Sequence, residues 1–357
     1  MGKLGVGIVG CGWVAEEYIK AFGKDERSEV RALVSRGRTR PEAYREKYGL
    51  DCLVTSDHAE MLARKDIDIV VVSTPHDQHT DYVVAAAEAG KHIVIEKPVA
   101  LTMDDVQRQQ DAVHRAGVKT VVSFVLHWNP LLITIDQLIR DGAFGNIFMI
   151  EVDYFHRIWT GPEHWLGTTK QGGTSMLAAG CHAVDALRWF ARSEPVEVSA
   201  YEVKTENPIE YAGTNTAVVK FADGKVGRTT SCFDAQMPYV FNIGVYGTEG
   251  SLRNDMLYAP KLFPGQNGFA KIPCILPDSG DVAHHPFVGE VTHFLDCLAE
   301  DRGPFPDLDD AAKTTALCIA ADRSAAEGRP IQLAAVLPNC AGRSQAREDA
   351  TMTTRNS

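Results

Sequence analysis

The first stretch able to do chemistry is a glycine-rich turn near the start of the chain. An apolar run, Leu4 to Val9, leads into Gly10-Cys11-Gly12 and then into Ala15 at the start of a predicted helix. Gly10 allows a sharp turn, Gly12 lets a pyrophosphate approach the backbone, and Ala15 permits close helix–strand packing. Phosphates would bind the open N–H groups of the helix. The pattern predicts a dinucleotide site, and a plain structural turn is the alternative.

The end of the second predicted strand favours NADP over NAD. Val30 to Val34 is followed by Ser35 and Arg36, where an NAD-binding fold usually has a carboxylate that binds the ribose 2′-hydroxyl. A hydroxyl and a guanidinium suit a 2′-phosphate instead. The alternative is that Arg36 is an ordinary solvated loop charge. We therefore predict NAD or NADP as the cofactor, with NADP favoured.

A lysine follows another apolar strand directly. His92 to Ile95 ends in Glu96-Lys97-Pro98, and ligands of doubly wound sheets bind at the carboxyl ends of the strands. Lys97 can therefore keep its charge near a substrate oxygen, or it is a surface lysine paired with Glu96. Pro98 fixes the local chain, and the peptide bond before it is a candidate for the cis form.

A histidine lies on an otherwise apolar helix in the second half. A paired glycine precedes the predicted helix from Ser175 to Ala191, on which Ala178, His182 and Asp185 share one face. A histidine on such a helix is commonly a satisfied core residue, but an aspartate one turn away supports a functional role.

The elements that must position these residues alternate in the first half of the chain. Buried apolar strands end in glycine or polar turns and are followed by helices, a pattern that predicts a parallel, doubly wound sheet. One helix should begin at a capping box formed by Thr102 and Asp105. We assign residues 1–123 to this dinucleotide-binding Rossmann domain.

The second half reads as an α+β domain. Asn129-Pro130 predicts a helix start, and several consecutive strands, two of them joined by a turn at Asp223-Gly224, predict a mostly antiparallel sheet. Two last helices follow, Val288 to Ala299 and Ala311 to Ala326. We assign residues 124–337 to a substrate-binding and oligomerisation domain and residues 338–357 to a disordered tail.

Composition limits the classes of partner. The 357 residues have a formal net charge of −11, which argues against nucleic acid and anionic membranes as partners. No apolar run is long enough to cross a membrane, and the first strand leaves no room for a signal peptide. Eight scattered cysteines without a C-x-x-C pair are typical of reduced thiols, so we expect a cytoplasmic protein. The pair His284-His285 lacks a clear third ligand, so we expect no metal.

Three blocks together resemble the glucose–fructose oxidoreductase, inositol dehydrogenase and rhizopine catabolism (Gfo/Idh/MocA) family. They are GIVGCGWVAEEY, STPHDQHTDYVVAAAEAGKHIVIEKP and GGTSMLAAGCHAVDALRWF. The resemblance covers the chain to about Leu333 and implies hydride transfer between a nicotinamide and a carbinol of a sugar, cyclitol or glycoside. It also implies an open sheet with helices on one face and subunit contacts on the other, hence a homodimer or homotetramer.

The resemblance also implies roles for particular residues. The lysine of E-K-P and the histidine of the second helix match Lys97 and His182, which would flank the reacting hydroxyl as its electrostatic partner and its proton acceptor. Trp165 and Asp185 join Lys97 and His182 as predicted substrate-binding residues. The predicted cofactor-binding residues are Gly10, Gly12, Trp13, Val14, Ser35, Arg36, Thr74, Pro75, His79, Glu96 and Lys97.

One position departs from the family pattern. Many members have an aspartate four residues before the histidine, where this chain has Ala178, and a methyl group cannot bind hydroxyls or assist proton transfer. Asp185 or His156 could compensate. Three functions stay open: a dehydrogenase or reductase, an enzyme that keeps its nicotinamide for transient oxidation during epimerisation or glycoside cleavage, and a sugar sensor without catalysis.

Overall fold

The computed structural model describes residues 2–277 and 285–337. The tail that the sequence predicts to be disordered, residues 338–357, lies outside the described residues, as does His284. Within the described ranges, two β-sheets with their helices carry the fold.

The first sheet is a six-stranded parallel sheet of order β3-β2-β1-β4-β5-β6. Its strands are β1 (Leu4–Val9), β2 (Ser28–Val34), β3 (Leu53–Thr55), β4 (Ile69–Val72), β5 (His92–Ile95) and β6 (Thr120–Val122). The order reverses between β1 and β4, which leaves a crevice at the carboxyl ends of the strands. This confirms the predicted doubly wound parallel sheet. The prediction omitted β3, whose three residues are too few for a pattern to show.

Helices connect the strands of this sheet. They are α1 (Trp13–Lys24), α2 (Thr39–Tyr48), α3 (His58–Leu62), α4 (His79–Glu88) and α5 (Met103–Ala116). The predicted helix start at Thr102 is confirmed, because its side chain accepts a hydrogen bond from the backbone N–H of Asp105. The Asp105 carboxylate accepts from the Thr102 hydroxyl, so the contact is a side-chain cap and not the reciprocal capping box. The sequence predicts a last strand of this sheet from Lys119 to Val125, but β6 ends at Val122 and the chain forms a 3₁₀ turn over Val125–Trp128.

The second sheet has nine strands in the order β14-β13-β12-β11-β7-β10-β9-β8-β15. Its strands are β7 (Ile147–Phe155), β8 (Pro195–Val203), β9 (Thr214–Phe221), β10 (Val226–Cys232), β11 (Val240–Gly247), β12 (Ser251–Arg253), β13 (Met256–Tyr258), β14 (Ala270–Lys271) and β15 (Ile331–Gln332). It is antiparallel except between β7 and β10, which confirms the mostly antiparallel prediction. Gly224 in the turn between β9 and β10 has a φ of +90°, the conformation that favours glycine there.

The second half of the chain has five helices, two of which cover one face of the second sheet. The five are α6 (Pro130–Arg140), α7 (Thr169–Gly172), α8 (Cys181–Ala191), α9 (Phe287–Ala299) and α10 (Leu308–Glu327). The two on the sheet are α8 and α10. Helix α8 packs on β7 and β10, α10 packs on β8, and α9 returns to pack against α1. On the other face β8 and β9 expose Tyr201 and Val218, while their neighbours Ala200 and Val219 are buried. In the described residues, no helix is long and apolar enough to cross a membrane.

The helix predicted for Ser175 to Ala191 is not α-helical throughout. Met176–Gly180 form a π-turn, and the α-helix α8 begins only at Cys181. A Cβ on Gly180 would lie 2.6 Å from Cβ of Ser231, so the turn packs closely on β10. One wider turn leaves the apolar pattern of the sequence unchanged, so periodicity cannot reveal it. Such turns are frequent at functional sites.

Candidate active site

The glycine turn has the geometry of a phosphate-binding site. Gly10 has a φ of +92°, and a Cβ there would lie 2.5 Å from the carbonyl oxygen of Ser73. Gly12 is the N-terminal capping residue of α1, and no atom lies within 4 Å of the place where its Cβ would stand. Ala15 is fully buried against the sheet. The open helix N-terminus therefore fits a pyrophosphate, as the sequence predicts.

A cleft of about 680 Å³ begins at this turn and runs to the second sheet. It lies at the carboxyl ends of β1, β2, β4 and β5, where ligands of doubly wound sheets bind. Trp165 lines the cleft, and so do all the predicted cofactor-binding residues. These are Gly10, Gly12, Trp13, Val14, Ser35, Arg36, Thr74, Pro75, His79, Glu96 and Lys97. Two predicted residues, His182 and Asp185, are absent from the described lining.

The part of the cleft beyond β2 is cationic. Ser35 and Arg36 line it, and so do Arg40 and Ser56, which the sequence analysis did not single out. Among the described residues that line the cleft, Glu96 is the sole carboxylate, and it stands at the end of β5. This end of the cleft thus offers cations and hydroxyls, which suit a 2′-phosphate better than a 2′-hydroxyl.

His79 holds together the two loops that follow β4 and β5. Its ring nitrogens lie 2.8 Å from the carbonyl oxygens of Thr74 and Pro98. Both nitrogens are therefore occupied by the protein, so His79 shapes the cleft wall through its neighbours. The Lys97–Pro98 peptide bond is cis, which agrees with the prediction. The Thr74 hydroxyl is buried and has no hydrogen-bond partner among the described residues.

Lys97 reaches from the first sheet to the second half of the chain. Its Nζ donates a hydrogen bond of 3.3 Å to the carbonyl oxygen of Ala178 in the π-turn. The side chain of Glu96 meets the Tyr18 hydroxyl at 2.9 Å, and among the described residues it forms no ion pair with this ammonium. Lys97 is therefore not a surface lysine paired with Glu96.

His182 lies behind the cleft wall with a free nitrogen. Its Nδ1 is buried and has no hydrogen-bond partner in the described part of the chain. The rings of Phe124, Tyr154 and His285 pack around it at centroid distances of 5.9, 6.3 and 6.2 Å. Burial, and then the charge of Lys97, hold the pKa of His182 well below its usual range. The imidazole is therefore neutral at neutral pH and able to accept a proton.

Three residues beside His182 were not among the predicted site residues. The Tyr154 hydroxyl lies 3.0 Å from Nδ1 of His156, and the ring of Tyr239 packs against both at 5.3 Å. The Tyr239 hydroxyl is buried without a partner among the described residues. His156 was noted as a loop residue able to compensate for Ala178, but no sequence pattern points to Tyr239.

Asp185 does not meet the cleft. Its Oδ2 lies 2.7 Å from Nε2 of His127, and its Oδ1 accepts a hydrogen bond of 3.2 Å from the Thr314 hydroxyl. It lines a separate cavity of about 460 Å³. The expectation that Asp185 binds substrate or orients His182 is corrected, because its carboxylate is occupied by His127 and Thr314 and does not line the cleft.

Trp165 lines the cleft opposite the first sheet. Its ring packs edge-on against His76 at 4.8 Å, and His76 Nδ1 in turn lies 2.9 Å from the carbonyl oxygen of Gly172. These contacts join the loop after β4 to the second half of the chain. Among the described residues, no group of three or more metal-ligating side chains is found.

Comparison with known proteins identifies the two halves. Residues 4–124 match the model of an oxidoreductase family with an NAD-binding Rossmann fold (GFO_IDH_MocA), and residues 132–253 match the GFO/IDH/MocA C-terminal domain.

Named relatives agree with these matches. The 1,5-anhydro-D-fructose reductase of Ensifer adhaerens is 29% identical over 262 residues, which cover 71% of this chain and 77% of that protein. The inositol 2-dehydrogenase of Rhizobium meliloti is 27% identical over 335 residues, or 92% of this chain and 98% of that protein. Levoglucosan dehydrogenase in complex with NADH superposes with a TM-score of 0.84 at 22% identity, over 93% of this chain and 99% of that chain.

Proposed function

Because the chain belongs to the Gfo/Idh/MocA family of NAD-binding oxidoreductases, we propose that it interconverts a secondary alcohol and a ketone of a sugar, cyclitol or glycoside. NADP is the favoured dinucleotide, with NAD as the alternative. The observation that carries this proposal is the 3.3 Å hydrogen bond from Lys97 Nζ to the Ala178 carbonyl. It joins the nucleotide-binding half to the turn that precedes His182.

The dinucleotide would lie along the cleft from the cationic end to Lys97. The open N-terminus of α1 at Gly12 fits the pyrophosphate, and Ser35 with Arg36 fits a 2′-phosphate. Trp13, Val14, Thr74 and Pro75 would form the walls of this channel. When bound, the cofactor accepts or gives the hydride, and the protein must orient the carbinol and move its proton.

Lys97 and His182 would have different roles at the substrate hydroxyl. The ammonium of Lys97 would stabilise negative charge on the substrate oxygen as its proton leaves. His182, kept neutral by burial and by Lys97, would accept that proton at Nδ1, the nitrogen without a partner among the described residues. In the reductive direction the same nitrogen returns the proton.

His156 and Tyr239 are proposed to take over the task of the missing carboxylate at Ala178. Both face the ring cluster around His182, and the unpartnered Tyr239 hydroxyl is a ready hydrogen-bond group for a polyol. Burying such a hydroxyl without a partner is costly, so a ligand group that pairs with it gains affinity. A substrate with several neighbouring hydroxyls fits these groups. We propose Trp165 as a further wall of the substrate site.

The exposed face of the second sheet is the proposed subunit contact. Tyr201 is 81% exposed and Val218 on the neighbouring strand is also exposed, and exposed apolar side chains that lie together are typical of contact surfaces. We propose a homodimer or homotetramer formed through this face, and a cytoplasmic location.

The test is an incubation of the purified protein with NADP or NAD and a panel of aldoses, cyclitols and glycosides. We expect net absorbance of the reduced nicotinamide with at least one substrate and a lower Kd for NADP than for NAD. Product formation without net cofactor reduction would indicate the transient-oxidation alternative. Binding of sugars with no chemistry under any condition would refute the proposal.

A further inference from the structure

A chain of four buried side chains leads from the cleft into the interior of the protein. The Tyr18 hydroxyl lies 2.9 Å from Oε1 of Glu96, and it also contacts the Ser123 hydroxyl. The Ser123 hydroxyl lies 2.8 Å from Oε1 of Glu290 on α9. All four residues are buried, and Tyr18 and Glu290 are completely so. Two carboxyl groups are thus joined through two hydroxyls.

Counting protons shows that one of the carboxyls must be protonated. Four oxygens in a row make three contacts, and each hydrogen bond needs one proton. The hydroxyls of Tyr18 and Ser123 supply two. The third must come from a carboxyl at one end, either Glu96 or Glu290. If both were ionised, two of the oxygens would face each other with no proton between them.

The surroundings favour one shared proton. Burial raises the pKa of Glu96, and burial together with the charge of Glu96 raises the pKa of Glu290 well above its usual range. The ammonium of Lys97 favours ionisation of Glu96, which burial opposes. Oε2 of Glu290 has no partner among the described residues, and an unpartnered buried oxygen costs less on a neutral acid than on a carboxylate.

We propose that Glu96 and Glu290 share a single proton along Tyr18 and Ser123, and that its position sets the charge of Glu96 beside Lys97. To reach Glu96, the proton of Glu290 passes to Ser123, that of Ser123 to Tyr18, and that of Tyr18 to Glu96. Three O–H bonds break and three form, and nothing is oxidised or reduced. The net charge of the four side chains stays the same, while the negative charge moves from Glu96 to Glu290.

This arrangement gives the cleft an adjustable charge, a consequence that rests on the proposed function. Glu96 is the sole carboxylate among the described residues that line the cleft, and an oxidised nicotinamide carries a positive charge that the reduced form lacks. Glu96 would be ionised with the oxidised form bound and would accept the proton with the reduced form bound. Glu290 is in this view a positioning residue, because it acts only through Glu96.

Infrared spectroscopy tests the shared proton directly on the protein without cofactor. The C=O stretching band of a protonated carboxyl is separate from the bands of carboxylates. We expect this band in the wild-type protein at neutral pH, and we expect Glu290→Gln to lower its area by one carboxyl group. Burial raises the pKa of Asp322 to about 7, so Asp322 supplies a remainder that is the same in both proteins. The matched control is Glu16→Gln on α1, the helix that also holds Tyr18. This substitution removes a carboxylate that contacts Lys47 and Tyr48, two contacts that lower its pKa. The control should leave the band unchanged.

The coupling to the cofactor is tested by repeating the spectra with oxidised and reduced nicotinamide dinucleotide. In the wild type the band should change frequency between the two complexes at constant area. Tyr18→Phe removes one of the two hydroxyls that connect the carboxyls and leaves both carboxyls in place. The protonated-carboxyl band of this variant should therefore be present and identical in both complexes. Melting temperatures of all variants check that they are folded.

Several results would overturn the proposal. They are a wild-type protein without the band, a band of the same area in Glu290→Gln as in the wild type, and a Tyr18→Phe protein that responds to the cofactor as the wild type does. Failure of the proposed function has a different signature. In that case neither dinucleotide binds, while the spectrum of the protein without cofactor still decides whether the proton is shared.

Discussion

Replacing Lys97 by methionine separates its proposed catalytic role from a structural one. Methionine keeps the length of the apolar stem and removes the ammonium. Among the described contacts, Nζ makes one hydrogen bond, at 3.3 Å to the Ala178 carbonyl, so its loss should lower the free energy of unfolding by only about 1 kcal/mol. Loss of the charge opposite the substrate oxygen should lower kcat by about 10²–10³-fold, as for removal of one preorganised oxyanion donor.

The chain offers a matched control on the same strand. Lys91 precedes β5 as Lys97 follows it, and its Nζ donates hydrogen bonds of 2.9 and 2.8 Å to the carbonyl oxygens of Arg64 and Ile67. Lys91→Met therefore removes a similar ammonium at the opposite edge of the sheet, away from the cleft. It should leave kcat unchanged although it loses more hydrogen bonds.

The assay is the initial rate of nicotinamide reduction with the most active sugar, with kcat and KM determined separately, and the Kd of the cofactor measured by titration. We expect a loss in kcat for Lys97→Met with little change in cofactor affinity. The reasoning is refuted if Lys97→Met keeps kcat within a few fold of the wild type, or if Lys91→Met loses as much.

Further predictions concern the cofactor, the substrate and the surroundings of His182. Ser35→Asp should shift the ratio of the NAD and NADP dissociation constants toward NAD by tenfold or more, about 1.4 kcal/mol, and an unchanged ratio would contradict the cationic site. Tyr239→Phe should raise KM up to about tenfold without lowering the melting temperature, because its hydroxyl has no partner among the described residues. Asp185→Ala removes the hydrogen bonds to buried His127 and Thr314 and should cost about 2 kcal/mol in urea unfolding; lost substrate affinity at full stability would restore Asp185 to the site. The pKa of His182 in the folded protein lies below the usual 6.5, so below that pH the unfolded chain binds a proton that the folded one does not. His182→Gln should therefore gain stability relative to the wild type as the pH falls, and a constant difference in unfolding free energy would contradict burial of a neutral imidazole.

Features determined by neighbouring residues were predictable from the sequence. The turn at Gly10, the cap at Thr102 and the buried strands each depend on a short pattern, and the structure has them. The partners of Asp185 could not be predicted, because His127 lies 58 residues away and reaches it only when the halves fold together. Helical spacing placed Asp185 on the face of His182, but the π-turn and the tertiary contacts decide what each side chain meets.

The departure at Ala178 has a different meaning in the structure than in the sequence. The sequence shows a missing carboxylate and suggests a weakened site. In the structure this position still holds Lys97, because the acceptor is the backbone carbonyl of Ala178, and a carbonyl is present whatever the side chain. A carbonyl carries no net charge, so this hydrogen bond holds Lys97 in place without neutralising its ammonium. Apart from its interaction with the neighbouring Glu96, this charge would act on the substrate oxygen and on His182, whose pKa is lowered by burial and then by Lys97. The alanine thus removes a competitor for the lysine while the main chain keeps the lysine in position.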